Sequence, residues 1–333
     1  MTEFLLSRSP TRFTQVTGCS YPIIVAPMFL VSNEDMVVEA SNAGALGAAP
    51  SLNWRTAEEF DRALSNIEAR TQKPYAINLI VNKSNIRLRT DLAIIVKHKV
   101  PVVITSLGDP EEIIKAVHGY GGKVFCDVID ITHALKVRDK GCDGIIAVCA
   151  GAGGHAGPLS PFSFIPYLRE QIDLPIIAAG SIADGTQLLA ALTLGADAAQ
   201  IGTRFIASTE SPVSDEYKNA IIDAGPEDIV MTYKLSGVPA AVIKTPYIEK
   251  VGLNISPLEK FMHKSPFTKR IIKFIRYQTG MKKLTDAAHG LTWKTVWSAG
   301  QSVATIHDIK PTAEIIRQIA RQYEGAISRI PKD

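Results

Sequence analysis

The sequence contains no apolar run long enough to cross a bilayer, no block of like charges and no low-complexity tract. Its formal net charge is only +3 over 333 residues, too balanced to attract nucleic acid or a membrane surface. Residues 1–10 also lack the apolar core of a signal peptide. We therefore expect a cytoplasmic globular protein with no nucleic-acid or membrane partner. A homodimer is compatible with the sequence.

Cysteine is scarce as well, and its spacing argues against two kinds of site. The four cysteines form no Cys-x-x-Cys pair, and no histidine is spaced from them as in a zinc site. Cys126 and Cys149 lie in or beside apolar, strand-like runs. We interpret all four cysteines as reduced residues of a hydrophobic core, and we predict no metal site.

What the sequence does have is a regular alternation of short apolar runs with amphipathic, helix-length segments. The runs are rich in valine and isoleucine, as strands buried on both faces require. The predicted strands are 23–28, 46–50, 75–80, 102–107, 123–128, 144–148, 175–180 and 198–203. The predicted helices are 33–42, 56–70, 87–98, 110–118, 132–140, 161–171, 183–194 and 214–224. Eight such units predict an α/β fold, a TIM-type (β/α)8 barrel.

The regular pattern stops after the eighth unit. Residues 231–290 are richer in lysine and aromatic residues, and we predict a small helical insertion or lid there. The predicted barrel domain therefore comprises residues 1–230 and 291–333. Its last helix is indicated by Ile315, Ile316 and Ile319, which share one helical face.

One loop combines many glycines with a single histidine. The sixth predicted strand leads into Cys-Ala-Gly-Ala-Gly-Gly-His-Ala-Gly at 149–157, where His155 is the only strongly polar side chain. Glycine lets a backbone bend freely and approach a ligand closely. The loop therefore predicts a large flat ligand against the backbone, with His155 at its reactive face. The alternative is a hydrogen-bonded structural histidine in a turn.

Small residues also follow the seventh and eighth strands. The first of these loops contains Ala179, Gly180 and Ser181, and the second contains Gly202 and Thr203. Barrels often bind a phosphate in these two loops, because backbone N–H groups at helix starts attract anions. The two loops together favour a phosphate site over simple tight turns.

Several of these motifs together resemble one family, the nitronate monooxygenases, formerly called 2-nitropropane dioxygenases. The similarity runs in order from about residue 13 to about residue 320. The motifs that carry it are Ala26-Pro27-Met28, Asn78, the Ala-Gly-Gly-His-x-Gly stretch at 152–157, Ala178-Ala179-Gly180-Ser181, Gly202-Thr203-Arg204 and Ala299-Gly300-Gln301. FMN-dependent enoyl-acyl-carrier-protein reductases and NADH:quinone reductases share these motifs. Gly151 stands where many members carry a glutamate.

The resemblance implies FMN bound at the barrel mouth. Its phosphate would lie on the loops after strands seven and eight, and its ring on the backbone after strand one. The cofactor-binding residues that the resemblance implies are Ala26, Pro27, Met28, Asn78, Gly153, Gly154, Ala179, Gly180, Ser181, Gly202, Thr203 and Gln301. His155 would be the catalytic residue facing the substrate.

By the same resemblance, the leading function is oxidation of alkyl nitronates with O2 to carbonyl compounds and nitrite. His155 would hold the anionic nitro group, or act as a base on the parent nitroalkane. The alternative enzyme is an NAD(P)H-dependent FMN reductase acting on quinones or enoyl thioesters. A non-catalytic barrel, binding flavin or a sugar phosphate, is the alternative outside enzymes.

Four side chains keep two interpretations each. Asp127 either points into the mouth or caps the following helix, and Arg204 either binds phosphate or pairs with a carboxylate. Trp293 and Trp297 either form a wall of the active site or fill the seam where the C-terminal segment docks, and the seam is favoured.

Overall fold

The computed structural model is a closed barrel of eight parallel strands in sequential order. It describes residue 6 and residues 10–82, 84–233, 239–253 and 296–330. The barrel strands are Ile23–Val25 (β1), Leu46–Pro50 (β2), Tyr75–Ile80 (β3), Val102–Ser106 (β4), Lys123–Val128 (β5), Gly144–Val148 (β6), Ile176–Ala179 (β7) and Ala198–Ile201 (β8). β8 pairs with β1, with Ile24 opposite Gln200, and this closes the barrel. The predicted TIM-type fold is confirmed.

Helices alternate with these strands as the sequence pattern predicts. They are Arg12–Thr17 (α1), Glu34–Asn42 (α2), Ala57–Arg70 (α3), Leu88–Lys97 (α4), Glu111–His118 (α5), Ile131–Asp139 (α6), Pro161–Gln171 (α7), Gly185–Thr193 (α8), Thr203–Ile206 (α9), Asp215–Asp223 (α10), Pro246–Val251 (α11) and Thr312–Ile327 (α12). The turns after α2, α6 and α8 each contain a glycine in the left-handed region, at Gly44, Gly141 and Gly195. Glycine adopts that conformation without a Cβ clash, so it ends the helix and starts the next strand.

The barrel strands bury both faces, each in a different hydrophobic cluster. Ala76, Ile104 and Phe125 belong to the cluster inside the barrel, while their neighbours along each strand pack against the helices. Phe13 of α1 belongs to the inner cluster too, with its ring centroid 6.0 Å from that of Phe125. The N-terminal helix therefore packs against the inner core of the barrel.

The outer ring of helices is completed from the far end of the chain. The C-terminal helix α12 packs against both α8 and α2, so it fills the gap beside β8. A Cβ built on Gly185 would lie 2.1 Å from the carbonyl oxygen of Ile319, which shows how closely α8 and α12 approach. The segment 214–224, predicted as the eighth helix, does form a helix (α10), but it does not take that place in the ring.

Two further strands, which the sequence pattern did not indicate, follow the barrel. Ile229–Thr232 (β9) and Ala240–Ile243 (β10) form an antiparallel pair, with Val242 opposite Val230. β10 also bridges to Gly154 and to Ser298. Most of the predicted helical insertion at 231–290 lies outside the described residues, so its boundaries stay a prediction.

The described residues bear on two expectations from composition. All four cysteines, Cys19, Cys126, Cys142 and Cys149, are buried free thiols, which confirms their interpretation as core residues. Among the helices of the described ranges, none combines the length and apolar character needed to span a bilayer.

Candidate active site at the barrel mouth

The inner face of the barrel changes from apolar to polar at the carboxyl ends of the strands. Side chains alternate along a strand, so residues two positions beyond Ala76, Ile104 and Phe125 also face inward. Those residues are polar: Asn78, Ser106 and Asp127; Gln200 holds the same place two positions after Ala198. In a barrel of this kind the active site is built at this end.

Asn78, Ser106 and Asp127 form a hydrogen-bonded row across three neighbouring strands. Asn78 donates its side-chain amide to the carbonyl oxygen of Ile104 at 3.2 Å and to Ser106 Oγ at 2.7 Å. Ser106 Oγ donates in turn to Asp127 Oδ2 at 2.5 Å. Because the amide hydrogens of Asn78 are used in this way, the atom that it can offer a ligand is its carbonyl oxygen.

Asp127 is the polar end of this row. Its Oδ1 is shielded from solvent and has no hydrogen-bond partner among the residues that the structure describes. Burial raises the pKa of the carboxyl group to about 6, although the hydrogen bond from Ser106 opposes the shift. The alternative role as a helix cap belongs to another residue, because Asp130 Oδ1 accepts from the backbone N–H of His133 at 2.8 Å.

Gln200 is a mouth residue that sequence reasoning missed. Its Oε1 is buried and has no hydrogen-bond partner. The signal that could have found it is its position: a polar residue on the inner face of β8, two positions before the Gly-Thr-Arg motif. Gln200 and Asp127 thus each carry a buried acceptor atom that has no partner among the described residues. Buried acceptors normally have a partner, so these two are candidates to accept from a ligand with donor groups.

The turn after β1 is held rigidly beside the end of β8. Ser32 Oγ accepts from the backbone N–H of Met28 at 2.9 Å and donates to the carbonyl oxygen of Ala26 at 3.1 Å. A Cβ built on Gly202 would lie 3.5 Å from Ala26 Cβ and 3.6 Å from Met28 Sδ. The predicted ring support at Ala26, Pro27 and Met28 thus borders the predicted phosphate loop after β8.

The loops after β7 and β8 present unpaired backbone donors. Within the described ranges, the N–H groups of Gly180, Gly202 and Thr203 donate to no protein acceptor. Ser181 adopts a left-handed conformation, with φ +58°, which is uncommon for a residue other than glycine and frequent at functional sites. Ala179 ends β7 and accepts from the backbone N–H of Cys149 at 2.8 Å. These donors form a cradle of the kind that binds an anion.

The glycines of the histidine loop serve first to let protein backbones approach each other. A Cβ on Gly151 would lie 1.9 Å from Ser181 Oγ, and one on Gly153 would lie 2.9 Å from the backbone of Ala299. Gly154 instead exchanges backbone hydrogen bonds with Ala241 of β10, at 3.0 and 2.7 Å. The predicted contact of Gly153 and Gly154 with a flat ligand stays a prediction.

The C-terminal segment packs against this loop. The backbone N–H of Gln301 donates to the carbonyl oxygen of Gly151 at 3.1 Å, and that of Gly300 donates to Thr203 Oγ1 at 3.0 Å. Gln301 is exposed, and so is His155, directly after the bridge between Gly154 and Ala241. The structure thus brings the loops after β6, β7 and β8 together with residues 299–301, while Asn78 lies on β3.

Two of the residues that the sequence left with two interpretations have structural roles. Arg204 donates to the carbonyl oxygen of Asp308 at 2.8 Å and to its Oδ1 at 2.5 Å, so it pairs with a carboxylate. Trp297 stacks on Tyr217, with ring centroids 5.5 Å apart, in the seam where the C-terminal segment docks. Trp293 lies outside the described residues.

Comparison with known proteins is consistent with this geometry. The family model for nitronate monooxygenase matches residues 10–322. A probable nitronate monooxygenase of Staphylococcus saprophyticus is 25% identical over 364 residues, covering 96% of this chain and 99% of the relative. A Rhodococcus jostii enzyme named (3aS,4S,5R,7aS)-5-hydroxy-7a-methyl-1-oxo-octahydro-1H-indene-4-carboxyl-CoA dehydrogenase is 30% identical over 246 residues, covering 74% of this chain and 69% of the enzyme.

Solved structures agree in fold over nearly the whole chain. FabK of Thermotoga maritima superposes with a TM-score of 0.83 at 28% identity, covering 97% of this chain and 98% of FabK. Together with the family match, this similarity identifies the general class of the protein. The chain belongs to the nitronate monooxygenase family, whose members are flavin-dependent oxidoreductases.

Proposed function

We propose that this protein is an FMN-dependent nitronate monooxygenase, which oxidises alkyl nitronates with O2 to carbonyl compounds and nitrite. The observation that carries the proposal is the cradle of unpaired N–H groups on Gly180, Gly202 and Thr203, next to two strand ends. The similarity to the Staphylococcus relatives over nearly their full length supports the reaction. An FMN molecule with its phosphate on these N–H groups and its ring toward the mouth would match both the backbone donors and the polar inner face of the barrel.

The residues present fit FMN. The loops with Gly180, Ser181, Gly202 and Thr203 would hold the phosphate, and the orphaned Oε1 of Gln200 would accept a hydrogen bond from the ring. The rigid turn after β1 would support the ring, and Asn78 would offer its carbonyl oxygen. When bound, FMN supplies the redox chemistry, and the protein supplies position and electrostatics.

His155 is the residue that we assign to the substrate. It is exposed at the rim, on the loop that Gly154 anchors to β10. A protonated imidazole would donate a hydrogen bond to the anionic nitro group of a nitronate. A neutral imidazole would take the α-proton of the parent nitroalkane.

The test is an anaerobic reaction followed by absorbance. The purified protein should be yellow, with flavin that denaturation releases as FMN. Mixing it with a nitronate without O2 should bleach the flavin within a turnover, and O2 should restore the colour with release of nitrite. NADH and NADPH serve as the comparison reductants and should bleach the flavin slowly or not at all.

The second candidate is an FMN reductase, which the similarity to FabK favours. Rapid bleaching by NADH or NADPH, with no reaction of the nitronate, would replace the monooxygenase proposal with this one. A colourless protein that takes up no flavin would instead support a non-catalytic barrel.

A further inference from the structure

Asp127 combines three features that the proposed function does not use. It lies on the inner face at the carboxyl end of β5, its Oδ2 is held by Ser106, and its Oδ1 has no partner. On the β6 side its neighbours are apolar, Ile146 in register and Val148 at the strand end. The row of hydrogen bonds that starts at Asn78 therefore ends at Asp127 Oδ2. It leaves Asp127 Oδ1 without a partner among the described residues.

A purely structural role does not account for this arrangement. Asp130 caps α6, so the helix start does not need Asp127. Within the described ranges, the Asp127 carboxylate is held by the hydrogen bond from Ser106 and by no ion pair. A buried carboxylate without a counter-charge is unfavourable, and titratable groups perturbed by burial cluster at functional sites.

The following proposal rests on the proposed function. We propose that Asp127 is a specificity-determining residue: its Oδ1 contacts the head group of the ligand, and its protonation decides whether an anionic head group is accepted. Protonated, the carboxyl group donates a hydrogen bond to the anion. Ionised, it repels the anion and favours a head group that carries an O–H or N–H donor. The nitronate would then bind best in mildly acidic solution.

Other titratable groups lie near Asp127, and the experiment must distinguish them from it. The buried thiol of Cys126 belongs to the outer hydrophobic cluster, and His133 of α6 borders a shallow cavity that Asp127 also borders. His155 lies on the next loop, which contacts the chain after β5: a Cβ built on Gly157 would lie 3.3 Å from Ile129 Cβ. Of these, His155 is the group that the experiment must distinguish from Asp127, because it lies at the rim of the same site.

The test is the pH dependence of nitrate binding, measured by calorimetry on the holoenzyme. Nitrate has the planar, anionic shape of a nitronate head group but is not a substrate of the proposed reaction. Its dissociation constant should rise by about tenfold for each pH unit above the pKa of Asp127. The Asp127→Asn variant still accepts a hydrogen bond from Ser106 and offers a permanent N–H donor. It should lose the pH dependence of nitrate binding and bind nitrate more tightly than wild type at pH 8.

Two variants make the result specific. Asp130→Asn keeps an effective helix cap and should behave as wild type. His155→Asn should keep the pH dependence of nitrate binding that Asp127→Asn removes. Wild-type pH dependence in Asp127→Asn, its loss in His155→Asn alone, or no nitrate binding at any pH would each overturn the proposal.

A second readout does not depend on flavin. The pKa of Asp127 in the folded protein is raised, so its ionisation destabilises the fold as the pH rises through about 6. The melting temperature of flavin-free Asp127→Asn, relative to wild type, should therefore increase from pH 5 to pH 8. If the protein binds no flavin, the proposed function fails, and nitrate calorimetry on that protein still decides the role of Asp127.

Discussion

At the scale of single residues, two glycines of the mouth differ in what their missing side chain does. Gly180 has φ +120°, and a Cβ there would lie 3.1 Å from backbone atoms of Ala150 and Ala152. Gly202 has φ −107°, and a Cβ there would make ordinary van der Waals contacts. Substitution of Gly180 therefore strains the backbone itself, whereas substitution of Gly202 tests the ligand site.

We predict that Gly202→Asp loses bound FMN while the free energy of unfolding changes by less than about 1 kcal/mol. The new carboxylate would lie beside the N–H groups that we assign to the phosphate, and the like charges repel. Released flavin per protein and denaturant unfolding are the two measurements. Gly202→Ala controls for the Cβ alone. Full flavin content in Gly202→Asp would mean that the phosphate lies elsewhere.

At the scale of elements, the segment 296–310 joins the loops of the mouth to the outside of the barrel. Trp297 accepts from the backbone N–H of Ile243 at 2.8 Å, and Ser298 accepts from Tyr217 Oη at 2.6 Å. Arg204, 4% exposed, links the end of β8 to Asp308. Burial alone would raise the pKa of Asp308, but Lys310 and Arg204 lower it overall.

We predict that Arg204→Met lowers the free energy of unfolding by about 1–3 kcal/mol, because it removes two hydrogen bonds of a buried charge. Flavin content should be unchanged, since Arg204 is not a phosphate ligand in this structure. Ionised Asp308 carries the stabilisation, so the loss should shrink as the pH falls below its pKa. Arg12→Met is the matched control: its pair with Asp173 is exposed to solvent, so its loss should change the stability much less. Loss of flavin without loss of stability would contradict this assignment.

At the scale of the whole molecule, the ring of helices around the barrel is completed by a helix from the end of the chain. α12 reaches α8 at Gly185, whose N–H donates to Gln322 Oε1 at 3.2 Å. α12 also packs against α2, so it spans the gap between the first and the last units of the barrel. The docking of α12 therefore decides whether the ring of helices around the barrel is complete.

We predict that Gly185→Ala destabilises the protein by about 1–3 kcal/mol in denaturant unfolding, since its Cβ would overlap the backbone of α12. Gly325→Ala is the control on α12 itself, where a Cβ would meet nothing within 4 Å. That substitution should stabilise the helix by roughly 0.5–1 kcal/mol. Equal effects of the two substitutions would show that α12 does not pack tightly on α8.

The sequence by itself determined the repeating unit and most element boundaries. Residues 46–50, 75–80, 123–128 and 144–148 are strands over the ranges that their apolar pattern predicts, because a strand buried on both faces is apolar throughout. β1 is shorter than the predicted 23–28, because Pro27 has no N–H to continue the ladder and Ser32 turns the chain at Met28. The small-residue motifs were likewise visible locally.

Only the tertiary structure decided how distant residues meet. Arg204 finds its partner 104 positions away, and the glycines at 151 and 153 find theirs in the C-terminal segment. α12 rather than α10 takes the last place in the ring, although both are amphipathic helices. Local propensity and periodicity report which face of a segment is buried, but not which segment covers it. Asp127 shows the same limit, because its unpaired oxygen follows from where Ser106, Val148 and the barrel interior lie around it.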